Sequence, residues 1–249
     1  MQFENNTSAF GNVLNEVASM ARSKRSSLPH RSWSEKYKDL DINTALGYLV
    51  ALGRRESGTG YFHLGSDNAS AYRKALAWLL ALPHQEINDP MKGLIVTGST
   101  GTGKTLLVKL LWMLAKGIDL HRPFWDGVSS KAKMERFLWN YNAHVCDHVS
   151  SYIESPDASF PALRYRVLHI GDLGAEPESF SRYGTRGSIA DLICQRSDLG
   201  YRDAPMIITT NLTWDEIHRL YGDRAYSRLR NDLIEVQLTG TDYRTTNNT

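Results

Sequence analysis

Apolar residues recur at helical spacing in two early stretches. In INTALGYLVALGRR, Ile42 to Arg55, they line one face until the ESGTG break; in NASAYRKALAWLLAL they do so until Pro83, with Asn68 or Ser70 as the cap. Both stretches predict helices that precede the main domain. Past Pro90 the pattern changes to short β-branched runs alternating with helical ones. GLIVTG, RVLHIGD and PMIITTN predict buried strands, and KTLLVKLLWMLAKG, KMERFLWNYNAHVCDHVSSYI, SIADLICQRSDLG and WDEIHRLYG predict helices. Such alternation is the signature of an α/β fold whose mostly parallel sheet is covered by helices.

Composition narrows this only a little. The 249 residues suffice for one sizeable α/β domain and a smaller appendage. A net charge of +2 excludes an overwhelmingly basic nucleic-acid binder, yet leaves room for a local patch. One candidate patch is Arg22, Lys24, Arg25 and Arg31, followed by Trp33 and Tyr37; a solvated tail is the plain alternative. Cys146 and Cys194 lack C-x-x-C spacing and read as free thiols of a reducing cytoplasm. MQFENNTSAF lacks the basic-then-apolar pattern of a signal peptide, and no apolar run approaches the roughly 20 residues of a membrane span, so a soluble protein with no membrane partner is expected.

The strongest chemical signal is GSTGTGKT, which fits G-x-x-x-x-G-K-[ST] between a predicted strand and a predicted helix. Gly98, Ser99, Thr100, Gly101, Thr102 and Gly103 let backbone amides turn inward around phosphates, with the dipole of the following helix favouring the negative charge. Lys104 is then the residue that reaches the β- and γ-phosphates, and Thr105 the hydroxyl that binds Mg²⁺.

Three further segments add to it. The strand RVLHI leads to Asp172, either a Mg²⁺-side or a base-side carboxylate, or simply the start of a turn with Gly174. PMIITTN ends in Asn211, at the strand edge where ligands of parallel sheets collect; there it orients an attacking water, or Asn211 or Thr213 caps the next helix, and both roles hold together if Thr213 is the cap and Asn211 faces the nucleotide. YGDRAYSRLR and TDYRT supply Arg224, Arg228, Arg230 and Arg244, suited to phosphate or to ordinary surface ion pairs.

In order, GSTGTGKT, VLHIGDLGAEP, ITTNL, YGDRAYSRLR and LTGTDYR resemble the AAA+ ATPases of the DnaC and IstB type, over roughly residues 86 to 246. The resemblance implies an AAA+ ATP-binding domain at 86–249, and the residues before it, 1–85, read by their own composition and period as an N-terminal helical, partly flexible region. It implies ATP and Mg²⁺ as cofactors, Lys104 and Thr105 as Walker A, Asp172 as Walker B, Asn211 as sensor 1, Arg228 as an arginine finger and Arg244 as sensor 2. The family's strand carries two acids, and here Asp172 stands in the second, catalytic slot and Gly171 in the first, magnesium-associated one. Restoring an acid there is expected to raise a slow ATPase, and Glu176 is a candidate substitute on the same turn.

The implied function is that of a replicative-helicase loader that assembles through Arg228 into a homo-oligomer, with a helicase and single-stranded DNA as partners. An IstB-like helper that recruits a transposase, a nucleotide-gated scaffold with little hydrolysis and a small-molecule P-loop kinase are the alternatives. The strand-terminal Asn211 and the YGDRAYSRL segment argue against the kinase.

Overall fold

Apolar β-branched strands of five or six residues cannot be solvated on either face, and here they stack side by side at the centre of the molecule. The computed structural model describes residues 41–56, 62, 64–82, 84–124, 133–154, 160–177 and 185–240. In chain order the elements are α1 (Ile42–Glu56), α2 (Ser66–Leu80), β1 (Gly93–Thr97), α3 (Lys104–Gly117), β2 (His121–Phe124), β3 (Lys133–Arg136) and α4 (Val145–Ile153), then a 3-10 turn (Pro161–Arg164), β4 (Leu168–Leu173), α5 (Thr185–Asp198), β5 (Met206–Thr210), α6 (Trp214–Asp232) and β6 (Leu233–Gln237).

The main sheet runs β4-β5-β1-β6 and every pairing in it is parallel. Alternate strand residues feed two cores. Leu94, Val96, Ile207, Ile234 and Val236 pack with α1, α2 and α3 on one face. Ile95, Ile208, Leu168, Ile170 and Leu233 pack with α4, α5 and α6 on the other. The α/β class, with a mostly parallel sheet covered by helices, is therefore as the alternation predicts. Helices α1 and α2 share their core with α3, through Ala45, Leu49, Leu76, Leu107 and Leu111.

One predicted helix is wrong over half its length. KMERFLWNYNAHVCDHVSSYI does not form a helix from Lys133; Lys133–Arg136 pairs antiparallel with β2, and the helix begins only at Val145. Phe137 and Trp139 decide this. Both are buried, with Phe137 5.9 Å from Trp78 and 6.3 Å from Phe124 between ring centroids, and burying that aromatic area outweighs a weak local preference. The second helix begins at Ser66, earlier than the Asn68 or Ser70 cap, with Gly65 as its N-cap. Among the described residues, no helix is long and apolar enough to cross a membrane.

Candidate nucleotide site

The loop between β1 and α3 is shaped by three glycines in the left-handed region, Gly98 at φ 147°, Gly101 at 81° and Gly103 at 90°. A Cβ at Gly98 would stand 2.3 Å from the Leu238 carbonyl oxygen, so glycine is obligatory there. Thr102 is buried and its hydroxyl donates to Ser99 O at 2.8 Å, closing the turn. Lys104, the first residue of α3, is 5% exposed and donates from Nζ to Gly98 O at 2.8 Å and Ser99 O at 2.7 Å. Thr105 is exposed beside it. A glycine turn at a helix N-terminus with a lysine folded over it is a donor set that fits a polyphosphate.

Asp172 owes its direction to a β-bulge. Ile170 pairs with Ile208 and Leu173 with Thr210, so β4 spends three steps where β5 spends two. Without the extra residue, Asp172 would continue the Leu168–Ile170 side, into the α4–α6 core. With it, Leu173 takes that core position and Asp172 comes against Thr209, which alternates with Ile208 and shares the α1–α3 face with Ile207. The Asp172 amide donates to Thr209 Oγ1 at 2.8 Å. Asp172 itself adopts φ 55°, a left-handed conformation that aspartate tolerates better than most residues. Its carboxylate lies 3.5 Å from Thr209 Oγ1, which shares the α1–α3 face of the sheet.

Gly171 has an ordinary φ, so conformational freedom is not why it is glycine. Its amide donates to Ala143 O at 2.9 Å, and an added Cβ would meet that same oxygen at 2.7 Å. The slot that carries an acid in the resembling family is closed here by backbone. Glu176, the candidate substitute, is 3% exposed and already committed: Oε2 accepts the Gly174 amide at 2.9 Å and Oε1 accepts the Tyr221 hydroxyl. It fastens the turn after β4 to α6.

Sequence reasoning missed His144. Its backbone bridges to Gly171 in parallel, its Nδ1 accepts the Cys146 amide at 3.2 Å as the N-cap of α4, and its Nε2 lies 3.6 Å from Asp172 Oδ2. No sequence motif signals it, because the contact depends on a pairing across 27 residues of chain. Behind it lie two buried histidines. His148 meets His169 O at 2.6 Å, and His169 Nδ1 meets Asn140 O at 3.0 Å; burial lowers the pKa of both, His169 to about 4. Cys146 and Cys194 are free, and burial pushes both thiols up.

Asn211 is exposed at the end of β5, and Thr213 rather than Asn211 caps α6, in a reciprocal box with Glu216. Arg228 donates to Asp198 at the end of α5, and Arg224 reaches the same carboxylate at 3.5 Å, so these arginines make a contact within the chain. Arg230 stacks over Trp214 at 4.7 Å. Arg244 and the basic cluster Arg22, Lys24, Arg25 and Arg31 lie outside the described residues.

A glycine loop after β1, an acid near the end of β4, a polar residue ending β5, and β5 inserted between the other two strands together make a parallel α/β fold with its candidate site at the carboxyl ends of the central strands. No family model matches the chain, and no curated protein does. Solved structures similar to it include the DnaC helicase loader, at 18% identity over 73% of this chain and 95% of that one, with a TM-score of 0.49. DnaI is 19% identical over 73% of this chain and 87% of its own, with a TM-score of 0.43. AMPPCP-bound DnaA from Aquifex aeolicus is 17% identical, over 73% of this chain and 50% of its own, with a TM-score of 0.44. A function follows from the residues of the site and not from these similarities.

Proposed function

We propose that this chain binds ATP with Mg²⁺ at Gly98–Thr105 and acts as an assembling AAA+ protein of DNA replication, of the helicase-loader kind, in the cytoplasm. The observation that carries the reading is the bulge at Gly171–Asp172, which turns a lone carboxylate towards the face of the sheet covered by the P-loop helix.

Loop amides and Lys104 would hold the phosphates, Thr105 would hold the metal, and Asp172 would serve as the catalytic acid of the pair while Asn211 orients a water. Bound Mg²⁺ and ATP supply the metal charge and the phosphoanhydride that make hydrolysis possible. Arg228 of one copy, released from Asp198, completes the site of the next, with Arg244 as a second cation. Helicase and single-stranded DNA are the partners this role requires.

A second reading is favoured by one contact. Since Ala143 O occupies the place of a side chain at Gly171, an acid in the first slot is excluded, and a nucleotide-gated scaffold with little turnover fits equally well.

Calorimetry with ATP and ADP in Mg²⁺ tests the shared core of both readings. The parent protein binds and Lys104→Ala does not; equal affinity in the two proteins removes the site. Turnover assays then separate ATPase from scaffold, and a pull-down with a non-hydrolysable analogue identifies the partner.

A further inference from the structure

Glu235 has no role in the site as described, yet its carboxylate joins two parts of it. It lies on β6 in register with Ile95 of β1, on the α4–α6 face of the sheet. Oε1 accepts the Thr97 hydroxyl at 2.8 Å, and Oε2 accepts the Trp214 indole N–H at 2.8 Å. Thr97 is the residue before Gly98, where the phosphate loop starts. Trp214 is the first residue of α6, three residues after Asn211.

An acidic side chain in an edge strand is otherwise a poor choice beside the buried Ile234 and Val236. Here both its oxygens are used, by donors from two elements that share no backbone pairing. Hydrogen bonds to an ionised carboxylate are the stronger kind, and half-burial of Glu235 shields them from water. Beyond Trp214 the contact continues along α6: Arg230 lies over the indole at 4.7 Å, and Tyr226 meets it edge-on at 6.0 Å. Arg224 and Arg228 stand on the same helical segment, after the break at Gly222.

We infer that Glu235 is a positioning residue that holds the start of α6, and with it Asn211, in register with the phosphate loop, so that nucleotide at the loop is felt at Trp214. The inference rests on the nucleotide-binding reading above. Asn211 follows Thr210, which pairs with Thr97 and so already lies beside the loop, and the Glu235 carboxylate adds a side-chain tie from Thr97 to the first residue of α6. A change at Gly98 moves Thr97, and the carboxylate passes the shift to the indole.

The test uses the full chain with ¹⁵N-labelled tryptophan. Six indole N–H resonances are expected, and Trp214→Phe assigns the one that matters. On addition of ADP and Mg²⁺ the Trp214 resonance shifts in the parent protein. In Thr97→Val, which keeps the β-branched shape, ADP binds within about threefold of the parent by calorimetry, but the Trp214 resonance no longer responds. Thr97→Ser restores the response, and Glu235→Gln abolishes it, which keeps the test alive if Thr97→Val fails to fold. ADP binding without a Trp214 shift in the parent, or an undiminished shift in Thr97→Val, overturns the role of Glu235. No ADP binding by the parent withdraws the nucleotide site itself and this inference with it.

Discussion

His144 faces Asp172 with Nε2 3.6 Å from Oδ2, while its Nδ1 accepts the Cys146 amide at 3.2 Å. Because Nδ1 is used as an acceptor, the neutral ring carries its proton on Nε2, the nitrogen next to the carboxylate. One imidazole therefore starts a helix and supports the acid. The two roles separate by mutation. His144→Asn keeps a capping side chain but is too short for Asp172, whereas His144→Ala loses both. Thermal or urea unfolding is expected to find the alanine variant less stable than the asparagine variant by about 1 kcal/mol, with turnover lowered by a similar factor, about threefold, in both. Equal stability of the two variants would remove the cap, and parent-like turnover would remove the support.

Gly171→Asp is expected to disappoint as a repair. The new Cβ meets Ala143 O at 2.7 Å, and overpacking of this kind costs about 1–3 kcal/mol. Unfolding should register that loss, and ATP turnover should be no faster than in the parent. A variant that folds as stably and hydrolyses faster would show that the segment around Ala143 yields, and the slot could hold an acid after all.

Asp172→Asn should leave the fold alone, because asparagine also accepts the left-handed φ of 55°. ATP affinity is expected to stay near that of the parent while turnover falls about tenfold or more, roughly 1.4 kcal/mol in the barrier. Retained turnover would mean that Asp172 serves only the turn.

Stability should fall as the solution is acidified from about pH 6.5 towards 4. Burial lowers the pKa of His169 to about 4 and also lowers that of His148. In that window the unfolded chain takes up protons that the folded chain refuses, so the folded state loses ground as pH falls. Glu86 and Glu135, whose pKa values are lowered by ion pairs with Lys74 and Arg166, lose their contributions only below the usual carboxylate range. His169→Asn keeps a donor for Asn140 O and should flatten the drop in melting temperature between pH 7 and 5. An unchanged drop would assign it to other groups.

Arg228 within its own chain is held by Asp198, and a role in a neighbouring copy requires release of that half-exposed pair. Exposed ion pairs are worth about 1 kcal/mol or less, so the release is cheap. Lys104→Ala and Arg228→Ala should each be inactive alone. Mixed, they should regain part of the parent ATPase, because one variant supplies the arginine and the other the phosphate loop. A mixture as inactive as its components would confine Arg228 to the α5–α6 contact.

The glycine loop between β1 and α3 was legible because it is local: eight contiguous residues carry the glycines, the lysine and the hydroxyl, and the flanking strand and helix announce themselves by period. The helices α1, α3 and α6 and the strands β1, β4 and β5 could be read for the same reason. Where partners lie far apart in sequence, reading along the chain fell short. The segment from Lys133 reads as helix until Phe137 is seen buried against Trp78 and Phe124, with Trp139 packed on Phe137. Gly171 reads as a lost acid until Ala143 O is found in its place, and Glu176 reads as a spare acid until Tyr221 is found upon it. Period alone sends Asp172 into the wrong core; the bulge against β5 sends it to the other. Sequence spacing determines which residues can share one turn or one strand face, whereas strand pairing and burial decide which distant groups meet, and only tertiary structure contains that information.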